Sequence, residues 1–413
     1  MVLKTPEEYI ESLRKMKLQV YLFGEKVTNI VDHPINIPSR NAVALTYKLA
    51  WDPEYADLFT AHSKLVDAKV NRFTHIFGSS EDMVKKIKML RVMGQKTGCC
   101  FQRCGTSDVL NALFNVTYEM DQRLGTQYHK RFVEFAKYVQ QEDLSCGIGM
   151  MDARGDRSLR PKEQEDPDSY LHVVEERKDG IVVRGAKLHQ TGAVNHHEYV
   201  VLPCRALRKE EREYAVSFAI PVDTKGMIYV YGRQPSDTRK MEGEIDAGNP
   251  TYACHETLTI FDDVFVPWER VFLYGETDYA VLFAKTYGSI HRHTYAGCRS
   301  GVADVLIGAA ATIADYHGVL NTAHVRDKLT EMVSLNELVY ASGLASAYEG
   351  HKTPAGAYIN DFLLGNNTKY FQGQVAYQLI RFAHDLAGGI VGTMPSEKDY
   401  RHPEVGKYLE KYL

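Results

Sequence analysis

The chain has 413 residues, 44% hydrophobic and 25% charged, with 49 basic and 53 acidic residues and a net charge of −4. That profile is globular. It excludes disorder, a collagen-like repeat or a coiled coil for the whole chain, and it supplies no global field for nucleic acid. No apolar run reaches the roughly 20 residues of a membrane helix, since GVADVLIGAAATIA is interrupted by Asp304. The N-terminus, MVLKTPEEYIESLRK, lacks an apolar signal core, so the expectation is a cytoplasmic protein with no membrane and no nucleic-acid partner.

Residues 1–138 read as a helical domain. Pro6 followed by Glu7 and Glu8 opens a helix with acids in its first turn. Pro34 and Pro38 punctuate a loop, and Glu81 to Phe114 is proline-free, broken only by Gly94, Gly98 and Gly105. Residues 139–275 change texture. YLHVVEERKDGIVVRGAKL reads as strand, Asp-Gly turn, strand. EYVVLP, YAVSFAIPV, MIYVYGR and ETLTIFDDVFVP continue the pattern, which predicts a central antiparallel β domain. Residues 276–413 revert to helix, with no proline from Asp278 to His317. The fold class is α+β: helical, then β, then helical.

Seven cysteines, an odd number, read as thiols rather than a disulfide framework. Three cluster at Cys99, Cys100 and Cys104. On a helix, Cys100 and Cys104 lie one turn apart on one face. They suit ligation of a metal or cluster, or they are small thiols filling a helix contact. Farther on, the segment His291-Arg-His293-Thr-Tyr295-Ala-Gly-Cys298-Arg299 puts His291 and Cys298 on one helical face with Tyr295 between them. His293 points elsewhere. The plainer alternative is a hydrogen-bonded core histidine and tyrosine beside a packing cysteine. Together Cys100, Cys104, Cys298 and His291 offer a Cys₃His set for zinc or an iron–sulfur cluster. Their separation in sequence excludes a compact zinc finger.

Further candidates surround these. In the run Met150, Met151, Asp152, Ala153, Arg154, Gly155, Asp156, Arg157, alternating charges about a glycine suit a pyrophosphate or flavin edge, or a solvated loop. His189, Gln190 and Thr191 close a strand and can donate hydrogen bonds to a flavin. Glu256 opens another strand. Gly388, Gly389 and Thr393 form a Gly-rich helix end that either approaches a cofactor or is a helix C-cap. No G-x-G-x-x-G follows a strand, so a Rossmann site is not supported.

These motifs in this order resemble the 4-hydroxybutyryl-CoA dehydratase (vinylacetyl-CoA Δ-isomerase) family. The likeness runs from YIESLRK to TMPSEKD. It rests on GQKTGCCFQRC, the Gly155-Asp156-Arg157 loop, VVRGAKLHQTG, YGRQPSDTRKME, Tyr287-Gly288-x-x-His291 with Tyr295-x-Gly297-Cys298, and Ala387-Gly388-Gly389 with TMPSE. The Cys/His set is specific. The flavin loops are shared with the wider group of flavin-dependent 4-hydroxyphenylacetate hydroxylases, whose fold is acyl-CoA-dehydrogenase-like. The resemblance implies a homotetramer with FAD and a 4Fe-4S cluster in each subunit, acting on an acyl-CoA as hydro-lyase and isomerase. It implies Cys100, Cys104, His291 and Cys298 as cluster ligands, with Cys99 a packing thiol. It implies flavin contacts from Met150 to Arg157 and His189 to Thr191, with Gly388, Gly389 and Thr393 contributing from a neighbouring region. His291, Tyr295, Glu256 and Arg299 match active-site positions, Arg299 standing where part of the family carries lysine. The implied reaction is radical dehydration of 4-hydroxybutyryl-CoA to crotonyl-CoA, with His291 as general base. The family usually continues past the position of Leu413 with a Gly-rich segment and a glutamate, so a C-terminally shortened domain is expected. Two other readings stand beside this one: a flavin-dependent aromatic hydroxylase, with FAD and no cluster, and a non-catalytic oligomer stapled by zinc.

Overall fold

The computed structural model describes residues 3–233 and 249–413. The motif YGRQPSDTRKME therefore lies outside the described residues from position 234 onward. The first part of the chain carries helices α1 (Pro6–Arg14), α2 (Ile37–Trp51), α3 (Ala56–Phe59), α4 (Ser80–Thr97), α5 (Cys104–Leu124) and α6 (Tyr128–Gln141). Thr5 and Glu8 close a capping box at the head of α1, with Pro6 in its first turn. Four short strands interrupt this helical part: β1 (Val20–Leu22), β2 (Glu25–Val27), β3 (Thr60–Ser63) and β4 (Ala68–Asn71).

The middle part holds β5 (Cys146–Gly149), β6 (His172–Glu176), β7 (Gly180–Thr191), β8 (Glu198–Val201), β9 (Val216–Pro221), β10 (Met227–Tyr231), β11 (Glu256–Pro267) and β12 (Val271–Tyr274). With β1 and β2 from the first part they form a six-stranded sheet, ordered β2-β1-β10-β11-β7-β6, and, without them, a four-stranded one, ordered β12-β9-β8-β5. The expected Asp-Gly hairpin joins β6 to β7, with Val173 opposite Val183. The expectation of a wholly antiparallel region needs correcting. β1 pairs parallel with β10, and β5 parallel with β8. Parallel partners are joined by long crossovers, which leave no local turn signal in the sequence.

The last part holds α7 (Thr277–Tyr316), α8 (Ala323–Tyr348), the small ribbon β13 (His351–Lys352) and β14 (Tyr358–Ile359), then α9 (Phe362–Ala387), α10 (Ile390–Thr393), α11 (Glu397–Tyr400) and α12 (Gly406–Tyr412). The 40-residue α7 packs against α4, α5, α8 and α9. By length and composition it is also the one helix among the described residues apolar enough to cross a membrane. Within the fold its inner face, with Phe283, Ile290, Ala296 and Gly297, is buried.

One contact of α7 sets the site. A Cβ on Gly94 of α4 would lie 2.4 Å from the Cys298 carbonyl oxygen, and a Cβ on Gly301 of α7 would lie 2.1 Å from that of Arg91. The two helices therefore cross backbone against backbone, an approach only glycine permits. Arg91 ties the crossing by donating to Asp304 at 2.8 Å. The last turn of α4, and the cysteine loop that follows it, are brought against Cys298.

Candidate active site

A cavity of about 710 Å³ opens where the cysteine loop, α5, α7 and the ends of β7 and β11 meet. That volume is in the range of small-molecule sites. Cys100, Cys104, His291 and Cys298 all line it, as do Tyr295, Glu256 and Arg299.

The cysteine loop is built differently from the helical expectation. Gly98 ends α4 in the left-handed conformation (φ +61°), Gln102 also takes a positive φ of 67°, and α5 starts only at Cys104. Cys100 thus precedes the helix and does not share a helical face with Cys104. The loop folds back instead, so that the thiols meet directly. Hydrogen bonds from the Cys104 and Cys254 thiols hold Cys100 well below the ordinary thiol range, against the opposing effect of burial. Three anchors fix the loop. Phe101 is fully buried, stacking edge-on to Phe73. Gln102 donates to the Ser39 carbonyl at 3.0 Å. The Arg103 guanidinium, also fully buried, pairs with Asp143 and lies 3.8 Å over the Tyr47 ring.

On α7 the predicted stripe holds. Burial pushes the Cys298 thiol up to about 12. The His291 ring stacks on Tyr287 at 5.5 Å, with Tyr295 edge-on to it at 5.5 Å. Its Nδ1 lies 2.8 Å from Oδ2 of Asp108, a fully buried carboxylate on α5. Burial opposes ionisation of Asp108, but Lys86 and the His291 hydrogen bond outweigh it and leave the carboxyl below its usual range. Lys86 Nζ on α4 lies 2.7 Å from Asp108, and neither side chain is exposed. His293, set aside from the sequence, is buried with Nε2 against the Gly343 carbonyl at 2.9 Å.

Glu256 accepts from the Thr191 hydroxyl at 2.8 Å, and burial lifts its carboxyl to about 7. Tyr295 is raised from its ordinary value by burial. Arg299 lies 5.6 Å from the Tyr295 ring and Lys369 of α9 lies 4.3 Å from it. Of the flavin candidates, Met150, Met151, His189, Gln190 and Thr191 line the cavity. Beside them His196 is buried, and its Nδ1 has no hydrogen-bond partner among the described residues.

Other candidates lie elsewhere. Asp152 is buried away from the cavity, paired with Lys187 at 2.7 Å. Ala153, Arg154, Gly155, Asp156 and Arg157 form a loop outside the cavity lining, closed on itself by Asp156 N–H donating to Gln164 at 2.9 Å. Gly388 caps α9 with φ +73°, and it, Gly389 and Thr393 are exposed at the far end of the helical part. A Cβ on either glycine would meet nothing within 4 Å.

Two features escaped the sequence reading. Cys254 joins the thiol group through Cys100, although only its neighbour Glu256 stood out. Asp108 lies four residues after Cys104, a spacing that already places both on one face of α5.

The donor set fits a cluster. Three thiols and an imidazole line this one cavity, and a cluster takes one ligand at each iron and favours soft thiolates. The polar strand end at His189, Gln190 and Thr191 fits a flavin edge.

The family model described as 4-hydroxyphenylacetate 3-hydroxylase N terminal matches residues 5–273, and the corresponding C-terminal model matches 280–413. Over 406 residues the chain is 50% identical to the 4-hydroxybutyryl-CoA dehydratase/vinylacetyl-CoA-Δ-isomerase of Clostridium aminobutyricum, spanning 98% of this chain and 83% of that protein. The chain belongs to this dehydratase family, within the 4-hydroxyphenylacetate 3-hydroxylase group. An oxygen-tolerant archaeal 4-hydroxybutyryl-CoA dehydratase from N. maritimus superposes with TM-score 0.97 at 48% identity, over 100% of this chain and 82% of that one. The oxygenase component of 4-hydroxyphenylacetate 3-monooxygenase complexed with FAD shares the fold at TM-score 0.85 and 23% identity, over 99% and 85%. Glutaryl-CoA dehydrogenase shares it more distantly, at TM-score 0.53 and 12% identity, over 87% and 86%. The architecture is thus a mixed helix-and-sheet fold, acyl-CoA-dehydrogenase-like in its arrangement.

Proposed function

We propose that this chain dehydrates 4-hydroxybutyryl-CoA to crotonyl-CoA and isomerises vinylacetyl-CoA, as an FAD- and 4Fe-4S-dependent enzyme that works as a homotetramer. One observation carries the reading. Three thiols and an imidazole, from segments nearly 200 residues apart, line one cavity together with the flavin-type strand ends.

The chemical difficulty is the hydrogen at C3, which is two carbons from the thioester and not acidic. When bound, FAD would supply one-electron chemistry that loosens the C3 hydrogen and a site to receive it, and the cluster a Lewis-acid iron for the departing hydroxyl, while C4 regains the proton taken from C2. Cys100, Cys104, Cys298 and His291 would hold the cluster. Met150, Met151, His189, Gln190 and Thr191 would hold the flavin. The chain's own residues manage the protons. His291, with Nδ1 engaged by Asp108, keeps Nε2 for the cavity and takes the C2 proton. With Nδ1 protonated, the ring has one lone pair, so Nε2 would serve either the cluster or the C2 proton, not both at once. Glu256, at about 7, populates both protonation states near neutrality and can return a proton to the leaving group. Tyr295, raised by burial, remains a hydroxyl donor.

Assembly is supported by apolar side chains left open on α8 to α10, among them Leu338, Tyr377, Ile380 and Val391, which are 56–79% exposed in the single chain. Gly388, Gly389 and Thr393 lie beside them and would reach a flavin only across a subunit contact.

Anaerobic purification with assays of iron, acid-labile sulfide and flavin tests the proposal. All three are expected, with turnover of 4-hydroxybutyryl-CoA. Flavin without sulfide would move the protein to the aromatic hydroxylases. His291→Ala is expected to lose both cluster and turnover; full activity would remove His291 from the mechanism.

A further inference from the structure

We infer that Asp108, backed by Lys86, is a positioning residue that fixes His291 as the Nδ1–H tautomer and so presents its Nε2 lone pair to the cavity. Every partner of the Asp108 carboxylate is a donor. Lys86 Nζ lies 2.7 Å from Oδ1, and the Thr294 hydroxyl donates to Oδ2 at 2.9 Å and to Oδ1 at 3.1 Å. Ser107 adds a longer bond of 3.3 Å to Oδ1. A carboxylate held among donors can only accept, so the proton of the 2.8 Å contact belongs to His291 Nδ1. The contact spans three helices: Lys86 from α4, Asp108 from α5, His291 and Thr294 from α7.

Stability does not account for such a pair. A fully buried ion pair is often replaced by apolar residues without loss, because desolvation offsets the attraction. Its use here is orientation. The lysine faces the carboxylate at 2.7 Å and moderates its pull on the imidazole proton. A ligating histidine whose second nitrogen is so held has its ring direction and donor strength set from behind. The inference rests on the proposed role of His291, but the tautomer itself is measurable without cluster or substrate.

The experiment is solid-state nitrogen NMR of metal-free protein carrying isotope-labelled histidine. The His291 signal is identified among the 16 histidines by difference from H291Q. The wild type is expected to show Nδ1–H at His291. In D108N, Lys86 and Thr294 claim the amide oxygen and leave its NH₂ facing His291, so the proton should move to Nε2. Turnover of the loaded enzyme should then fall on the order of 10–100-fold. Should D108N fail to fold, K86M/D108L replaces the whole pair by apolar residues and should relax the ring toward the Nε2–H form usual for free histidine. An Nε2–H tautomer in the wild type, or an unchanged tautomer in the folded variants, would overturn the inference whether or not the protein proves to be a lyase. A wild type without sulfide or turnover but with the expected tautomer shift would refute only the proposed reaction.

Discussion

Gly94→Ala probes the helix crossing that places Cys298. In an open helix this change stabilises by about 0.5–1 kcal/mol, because glycine loses the most conformational freedom on folding. At this position the new Cβ would stand 2.4 Å from the Cys298 carbonyl oxygen, 2.8 Å from the Val302 nitrogen and 2.9 Å from the Gly301 Cα. All three are backbone atoms, so no side chain can swing aside. Restoring an ordinary separation of 3.4 Å to the oxygen requires α7 to withdraw by about 1 Å. Overpacking of this kind costs roughly 1–3 kcal/mol, which reverses the sign expected from helix propensity. The withdrawal also carries Cys298 away from Cys100 and Cys104. A misplacement of about 1 Å can cost on the order of 100-fold in rate. Gly308→Ala, on α7 with nothing within 4 Å of its Cβ, is the control and should be neutral or stabilising. Denaturant unfolding with iron and flavin content reads both effects. A G94A protein as stable as G308A, with full iron and turnover, would refute the claim that this crossing sets the site.

Two further outcomes are expected. The folded protein holds a proton on Glu256 up to about pH 7, above the ordinary carboxyl range. The stability this group contributes is therefore present at low pH and declines as pH rises through that window. Glu256→Gln should make the fall of stability with pH shallower between about pH 5 and pH 7, the buried Glu198, also lifted to about 7, keeping a slope of its own, and should remove a limb near neutrality from kcat/KM; a limb that persists in E256Q belongs to another group. Arg103→Ala leaves Asp143 buried without its cation, a loss of roughly 3–5 kcal/mol in unfolding free energy. Because Arg103 also anchors the cysteine loop, iron retention should fall with it. Arg103→Lys should recover only part, since an ammonium cannot reproduce the planar fork over Tyr47; an unchanged denaturation midpoint in R103A would show that the anchor is dispensable.

The parts of this protein that were legible in the sequence are those governed by local periodicity. The stripe His291, Tyr295, Cys298 could be drawn because α7 runs through it without proline, and a helix of known pitch fixes which side chains share a face. The β6–β7 hairpin was legible because its Asp-Gly turn is a local device. The same reasoning failed at Cys100. Helical spacing was applied across Gly98, which ends α4 in a left-handed turn, and the thiols meet through loop geometry instead. The parallel pairs β1–β10 and β5–β8 left no trace, since their partners are chosen over long crossovers. Asp108 falls between the two cases. Its place one turn after Cys104 is written in the sequence, but its meaning depends on Lys86 arriving from another helix. A lysine amid the apolar positions of α4, between Met83 and Leu90, looks unfavourable when read alone. Buried opposite a carboxylate, it becomes the charge that lets Asp108 stay ionised and hold His291. Read this way, an unfavourable residue in a predicted core helix is best taken as evidence for an unseen partner, and the partner is to be sought beside the strongest chemical motif in the chain.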